Sequence, residues 1–157
     1  MTTIPAPSLD DVSSWPFVNE PFFAETLELL RSVRDHDFAT LARRCDDDFG
    51  IVDLDTNGQP VPIRSRIEWE AWFTTLFEQL TATGASTDST VTNYDAIRGT
   101  DLGYSVLEFR QSLTIGDQTA YFDCIATIVW KLTGIGWQEA RWHASLLSTE
   151  IPEGFGE

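Results

Sequence analysis

Three long runs of alternating side chains, joined by tight glycine turns, fill the last third of this 157-residue chain. Gly103 to Ile115 puts Leu107, Phe109, Leu113 and Ile115 on one side. Thr119 to Leu132 does the same with Cys124, Ala126, Ile128, Trp130 and Leu132. Trp137 to Ser148 closes the set. Gly116-Asp117 and Gly134-Ile135-Gly136 are the turns between them. A period of two is the mark of a strand with one buried face, and short turns between strands make the pairing antiparallel. A polar, Thr-rich run from Ser89 to Ile97 supplies a further strand. Strands this long twist and curl, and their apolar face must be covered.

The covering elements lie upstream. Pro21 suits a first helical turn, and Phe23, Leu27, Leu30 and Val33 form one apolar stripe after it. Asp37 is a good N-cap for a second helix with Phe38, Leu41, Ala42 and Cys45 inward. Asp46-Asp47-Asp48 opposes a helix dipole at its C-terminus and reads as a solvated turn. Ile51–Asp55, Asn57-Gly58 and Gln59–Ile63 read as a hairpin, its return arm demoted to an edge by Pro60 and Pro62. Ser65 and Glu68 form a capping box for a third helix. Its wide apolar face carries Trp69, Trp72, Phe73, Leu76, Phe77 and Leu80, and Gly84 stops it. The order predicts an α+β fold: a cone-shaped, curled antiparallel sheet with three N-terminal helices on its concave face. Residues 1–18 read as a flexible arm on which Trp15 and Phe17 can dock. Residues 19–148 form the single domain, and 149–157 a loose acidic tail.

Charge narrows the partners. A formal net charge of -15 disfavours nucleic acid, whose phosphates need Lys and Arg. It disfavours an anionic membrane surface as well. The two cysteines, Cys45 and Cys124, read as small core residues rather than a disulfide framework. No basic-then-apolar leader and no membrane-length apolar run stands out, so a soluble, cytoplasmic protein is expected.

Few constellations can carry chemistry. Glu139, Arg141, His143 and Ser145 share one face of a regular strand. That face is either wet or the wall of a pocket, and register decides between them. With Thr133 opposite Gly136, His143 faces Ala126 and Arg141 faces Ile128. A slip of one residue sets them beside Thr127 and Val129 on a mixed face. Glu108, near Tyr104 and Arg110, is either a cavity acid or base or an outer ion-pair partner. Asp53-Leu54-Asp55-Thr56-Asn57-Gly58 imitates the start of an EF-hand loop, but its twelfth position is Arg64 and Pro60 and Pro62 interrupt it. Two histidines far apart and two unclustered cysteines make no metal site. Neither metal nor other cofactor is expected.

The element order, Thr127-Ile128-Val129-Trp130, and the run Trp137 through Ser145 resemble the nuclear transport factor 2-like superfamily. Within it the chain is similar to the SnoaL-like proteins and to the association domain of calcium/calmodulin-dependent kinase II. Trp137, His143 and Ser145 match the final-strand pattern of those relatives, with Arg141 standing where the pattern has its first His. Ser65 and Trp72-Phe73 match on the third helix. The resemblance implies a cystatin-like cone with a central cavity and a homodimer through the outer sheet face. It implies either a small-molecule pocket, as in cofactor-independent isomerases, cyclases and dehydratases, or a non-catalytic assembly module with a vestigial cavity. On the pocket reading His143 or Glu108 moves the proton. Arg141 and Tyr104 hold an oxygen. Asp53 borders the mouth, and Trp69, Trp72, Phe73, Ile128 and Trp130 supply apolar contact.

Overall fold

A computed structural model describes residues 9, 10, 12, 15–54 and 58–156, with Phe49 and Leu54 described by their backbone alone. Helices α1 (Phe23–Arg34) and α2 (Phe38–Arg44) lead into strands β1 (Cys45–Leu54) and β2 (Pro60–Ile63). Helix α3 (Arg66–Thr83) follows, then β3 (Ser86–Arg98), β4 (Leu102–Ile115), β5 (Gln118–Thr133) and β6 (Gly136–Glu150). Local chemistry sets the boundaries. The Asp37 carboxylate accepts the Thr40 N–H at 3.2 Å and starts α2. Ser65 Oγ accepts the Glu68 N–H at 3.2 Å, and Glu68 reaches back to the Arg64 N–H at 3.0 Å. Gly84, with φ of 66°, ends α3 in the left-handed region. Among the described residues no helix is long and apolar enough to cross a membrane.

The strands form one curled sheet in the order β2-β1-β6-β5-β4-β3. The β3–β6 meander is antiparallel throughout. The β1–β2 hairpin joins it by a parallel contact, with Gly50 opposite Arg141 and Val52 opposite His143, which makes the whole sheet mixed. The Asp46-Asp47-Asp48 turn does not form. Strand β1 begins directly at Cys45, and the three aspartates sit where its register with β6 is irregular. The two prolines of β2 lie on the sheet edge, where a missing N–H breaks no ladder. Asn57, the first residue of the expected turn pair, lies outside the described residues.

Register along β6 changes partway. From Thr133 opposite Gly136 to Trp130 opposite Glu139 the pairing is regular, but Val129 then faces Arg141. Ala140 is the extra residue, a β-bulge. A second bulge at Leu147 lies between the Cys124–Leu146 and Asp123–Ser148 pairs. An inserted residue shifts the alternation by one. Trp137 and Glu139 therefore face inward before the first bulge, and Trp142, Ala144 and Leu146 after it.

Aromatic rings fill the narrow end of the cone. Phe22 stacks on Trp130 at 5.5 Å and meets Trp137 edge-on at 5.0 Å. The Trp130 indole donates to Ser105 Oγ at 3.1 Å, so its one polar atom is satisfied in the dry core. Phe22 holds this place at φ of 61°, a conformation that costs about 1–2 kcal/mol for a residue with a Cβ. Burial of its ring, of similar or larger magnitude at about 1.5–3 kcal/mol, offsets that cost. The N-terminal segment packs beside it. Leu9 is fully buried, its carbonyl accepts from Arg31 at 3.1 and 2.8 Å, and Trp15 stands edge-on to Phe23.

Gly103 leaves room for this plug. A Cβ there meets the Phe22 ring and the Ile97 carbonyl oxygen, both at 2.6 Å. Gly103→Ala is expected to lower stability by about 1–3 kcal/mol, as overpacking does. Urea unfolding followed by tryptophan fluorescence checks this, and an unchanged midpoint contradicts it.

Candidate functional site

The wide end of the cone is not filled. Helix α3 crosses it, and a cavity of about 890 Å³ remains between that helix, α1 and the inward face of the sheet. This lies in the size range of small-molecule sites. Trp69, Trp72 and Phe73 descend from α3, spaced so that consecutive turns face the sheet. Phe109 rises from β4 and Trp142 from β6. Among these rings Trp69 and Phe73 meet at 5.3 Å, and Phe73 meets Trp72 edge-on at 4.8 Å. The polar lining includes Asp53, Glu68, Gln79, Gln111, Arg34 and Glu139.

Glu139 is the unusual member. It is 4% exposed, and the Cys45 thiol donates to its Oε2 at 3.5 Å. Burial pushes its pKa up to about 8, and the charge of Asp53 adds to that, while the thiol bond opposes it. At neutral pH this carboxyl carries a proton. Burial, with the Glu139 charge, pushes the Cys45 thiol far above its ordinary value, so the sulfur stays protonated and unreactive. Burial also raises Cys124, to about 11.

A network of main-chain contacts holds Glu139 at its level. Gln138 Nε2 donates to the carbonyls of Arg43 at 2.9 Å and Cys45 at 3.3 Å, and Thr133 Oγ1 donates to Gln138 Oε1 at 2.9 Å. Arg66 donates to the carbonyls of Ala42 at 2.8 Å and Cys45 at 3.0 Å, covering the exposed end of α2 with a cation. Arg44 donates to the Trp137 carbonyl at 2.9 Å and pairs with Glu28. The end of α2 is thereby tied to the base of β6.

The other expected site residues divide into three groups. Asp53, Trp69, Trp72 and Phe73 line the cavity. Ile128 and Trp130 point inward but are fully buried in packed core. His143, Arg141, Glu108 and Tyr104 lie on the outer face of the sheet, away from the cavity. His143 is exposed and stands opposite Thr127. Arg141 is exposed and donates to the Asp48 carbonyl. Glu108 pairs with Ile125 and Asn93, and Tyr104 is 37% exposed. The Ala140 bulge places His143 and Arg141 there, separating them from Glu139. On that outer face Arg110 grips Asp123 at 2.9 and 3.1 Å and Glu150 at 3.1 Å, which holds the Asp123 carboxyl below its usual range. Phe109 lines the cavity from the apolar side of β4, as alternation predicts, but strict alternation cannot turn both Glu139 and Trp142 inward. A signal for them exists: Trp137 and Trp142 are an odd number of residues apart, so both can turn inward only if the strand gains a residue between them. Among the described residues no group of three or more His, Cys, Asp and Glu is placed to hold a metal ion.

A family model described as the SnoaL-like domain matches residues 26–149. No curated protein matches the sequence significantly. Solved structures share the fold at low identity. One is a candidate scytalone dehydratase from Novosphingobium aromaticivorans DSM 12444, with TM-score 0.69 and 8% identity over 83% of this chain and 84% of that one. Another is a candidate dehydratase of the NTF2-like family from Streptomyces avermitilis, with TM-score 0.67 and 17% identity over 80% of this chain and 92% of that one. A third is a candidate calcium/calmodulin-dependent protein kinase type II association domain from Thiobacillus denitrificans ATCC 25259, with TM-score 0.61 and 22% identity over 82% and 95% of the two chains.

The Glu139 proton has a thermodynamic signature. The folded chain holds that proton between the ordinary carboxyl value of 4.5 and about 8, whereas the unfolded chain releases it. The folded state thus binds more protons, and stability falls as pH rises through that window, with a slope of up to about 1.4 kcal/mol per pH unit. Glu139→Gln is expected to remove this slope. Urea titrations of both proteins across the window measure it, and parallel pH profiles contradict the assignment.

Proposed function

Because the chain belongs to the SnoaL-like domain family, we propose that it binds a compact organic molecule in the cavity and acts on it by proton transfer, with Glu139 as the group that moves the proton. The observation that carries this reading is the Glu139 carboxyl, buried on the cavity wall and protonated at neutral pH. A carboxyl with a pKa near the working pH can both give and take a proton, which is what general acid–base chemistry needs. The aromatic wall of Trp69, Trp72, Phe73, Phe109 and Trp142 supplies contact area for a flat or ring-shaped skeleton. It also keeps water from the carboxyl, and in a dry site each polar contact is stronger. The candidate dehydratases that share the fold are consistent with elimination chemistry of this kind.

Native mass spectrometry of the purified protein, followed by turnover assays on whatever copurifies, tests the reading. Glu139→Gln keeps the shape of the side chain and loses its acid–base function. It is expected to bind the ligand with little change and to lower turnover by about a hundredfold or more. A variant as active as the wild type overturns the role of Glu139.

An assembly role is the second reading, favoured by the outer face of the sheet. Val106, Ile125 and Val129 are half-buried there beside the 37% exposed Tyr104, an apolar strip on an otherwise polar surface. A homodimer through this face covers the strip. Sedimentation at micromolar concentration is expected to show a species of twice 17.6 kDa, and a monomer at all concentrations defeats the dimer.

A further inference from the structure

The charges on the cavity wall are lopsided. Three carboxyl groups line it, from Asp53, Glu68 and Glu139, and among the described lining residues the only cation is Arg34. That guanidinium is engaged elsewhere: it donates to Asp10 at 2.9 Å and to Asp35 at 2.8 Å, with Asp88 at 4.0 Å. Arg66 and Arg44, the cations nearest Cys45, bond main-chain carbonyls and pair with Glu70 and Glu28. An anionic ligand in this cavity meets the charges of Asp53 and Glu68 and, apart from the Glu139 proton, no lining group that offsets its own charge except the paired Arg34. A cationic ligand meets the same carboxyls and a set of indole and phenyl faces, which attract cations through their quadrupoles. The net charge of -15 concentrates cations around the molecule as well.

We propose that the cavity selects a protonated amine carried on an apolar ring skeleton and rejects the matching carboxylate. This rests on the reading of the cavity as a ligand site. The selection has both an attractive and a repulsive side. The ammonium gains the carboxyls and the aromatic faces, and the carboxylate is left beside like charge with no counter-cation. The groups facing Glu139 are Cys45 and Asp53 from β1, with Glu68 further round the wall on α3. Both carboxylates are anionic neighbours, so an ammonium placed among them favours the ionised form of Glu139, and binding releases part of the Glu139 proton.

Three probes with one skeleton test this: naphthylmethylammonium, naphthylmethanol and naphthoate, titrated by calorimetry into the whole protein at neutral pH in two buffers of different ionisation heat. The ammonium is expected to bind at least about tenfold more tightly than the alcohol, and naphthoate at least about tenfold more weakly than the alcohol. The ammonium titration alone is expected to show buffer-dependent heat from the released proton. Asp53→Asn and Glu139→Gln are each expected to narrow the gap between ammonium and naphthoate, with proton release lost in Glu139→Gln. If the alcohol or naphthoate binds as tightly as the ammonium, or if both variants keep the wild-type order and spacing, the amine selection is overturned while the cavity stands as a ligand site. If none of the three binds, the cavity reading falls and the selection with it.

Discussion

One inserted residue decides what this cavity is made of. Ala140 adds a step to β6 between Glu139 and Arg141, and the strand changes phase there. Without it, Glu139 shares a face with Arg141 and His143, and the wall is either wholly charged or wholly apolar along its length. With it, a single carboxyl faces inward at the base of β6 and Trp142, Ala144 and Leu146 face inward above it. The guanidinium and imidazole are left outside in water. The β6 wall of the site thus carries one acid among apolar side chains, rather than an ion-pair network.

An isolated acid in that position is costly when ionised, and the surroundings show how the fold accommodates it. The carboxyl keeps its proton and accepts from a thiol, a weak donor that does little to favour the charged form. The stronger hydrogen bonds nearby belong to its neighbours. Gln138, Arg66 and Arg44 tie α2 to the strand base through main-chain carbonyls, which fixes the position of Glu139 without neutralising it. Positioning and electrostatic tuning are therefore handled by different residues.

The architecture was legible in the sequence because it rests on patterns that recur many times. The meander, the three helices, the Asp37 and Ser65 caps and the edge position of β2 all follow from periodicity, capping and proline placement. The aromatics of α3 were legible as cavity residues because a helix that broad on one face needs a wide partner. The inward face of β6 was not, because a bulge is a single local event and strict alternation averages over it. The resemblance points to His143, which matches the strand pattern, and to Arg141, which stands where that pattern has a His, and both residues stand on the other side of the sheet. Asp46-Asp47-Asp48 misled for a related reason. Three adjacent acids look like a turn, but irregular pairing with β6 lets a strand carry them with Asp47 and Asp48 in solvent.

The ring plug at the narrow end has a consequence for the proposed ligand reading. Phe22, Trp130 and Trp137 pack on one another, and Glu139 lies directly opposite Trp130 in the ladder, beside that cluster. The buried carboxyl thus stands where the cavity wall meets packed core. On that reading, a molecule reaching the carboxyl presents one end to it and lays the rest of its body along the indoles. Which end meets the acid would then govern which bond lies within its reach, so a single acid set to one side of an aromatic wall would discriminate between positions on one skeleton.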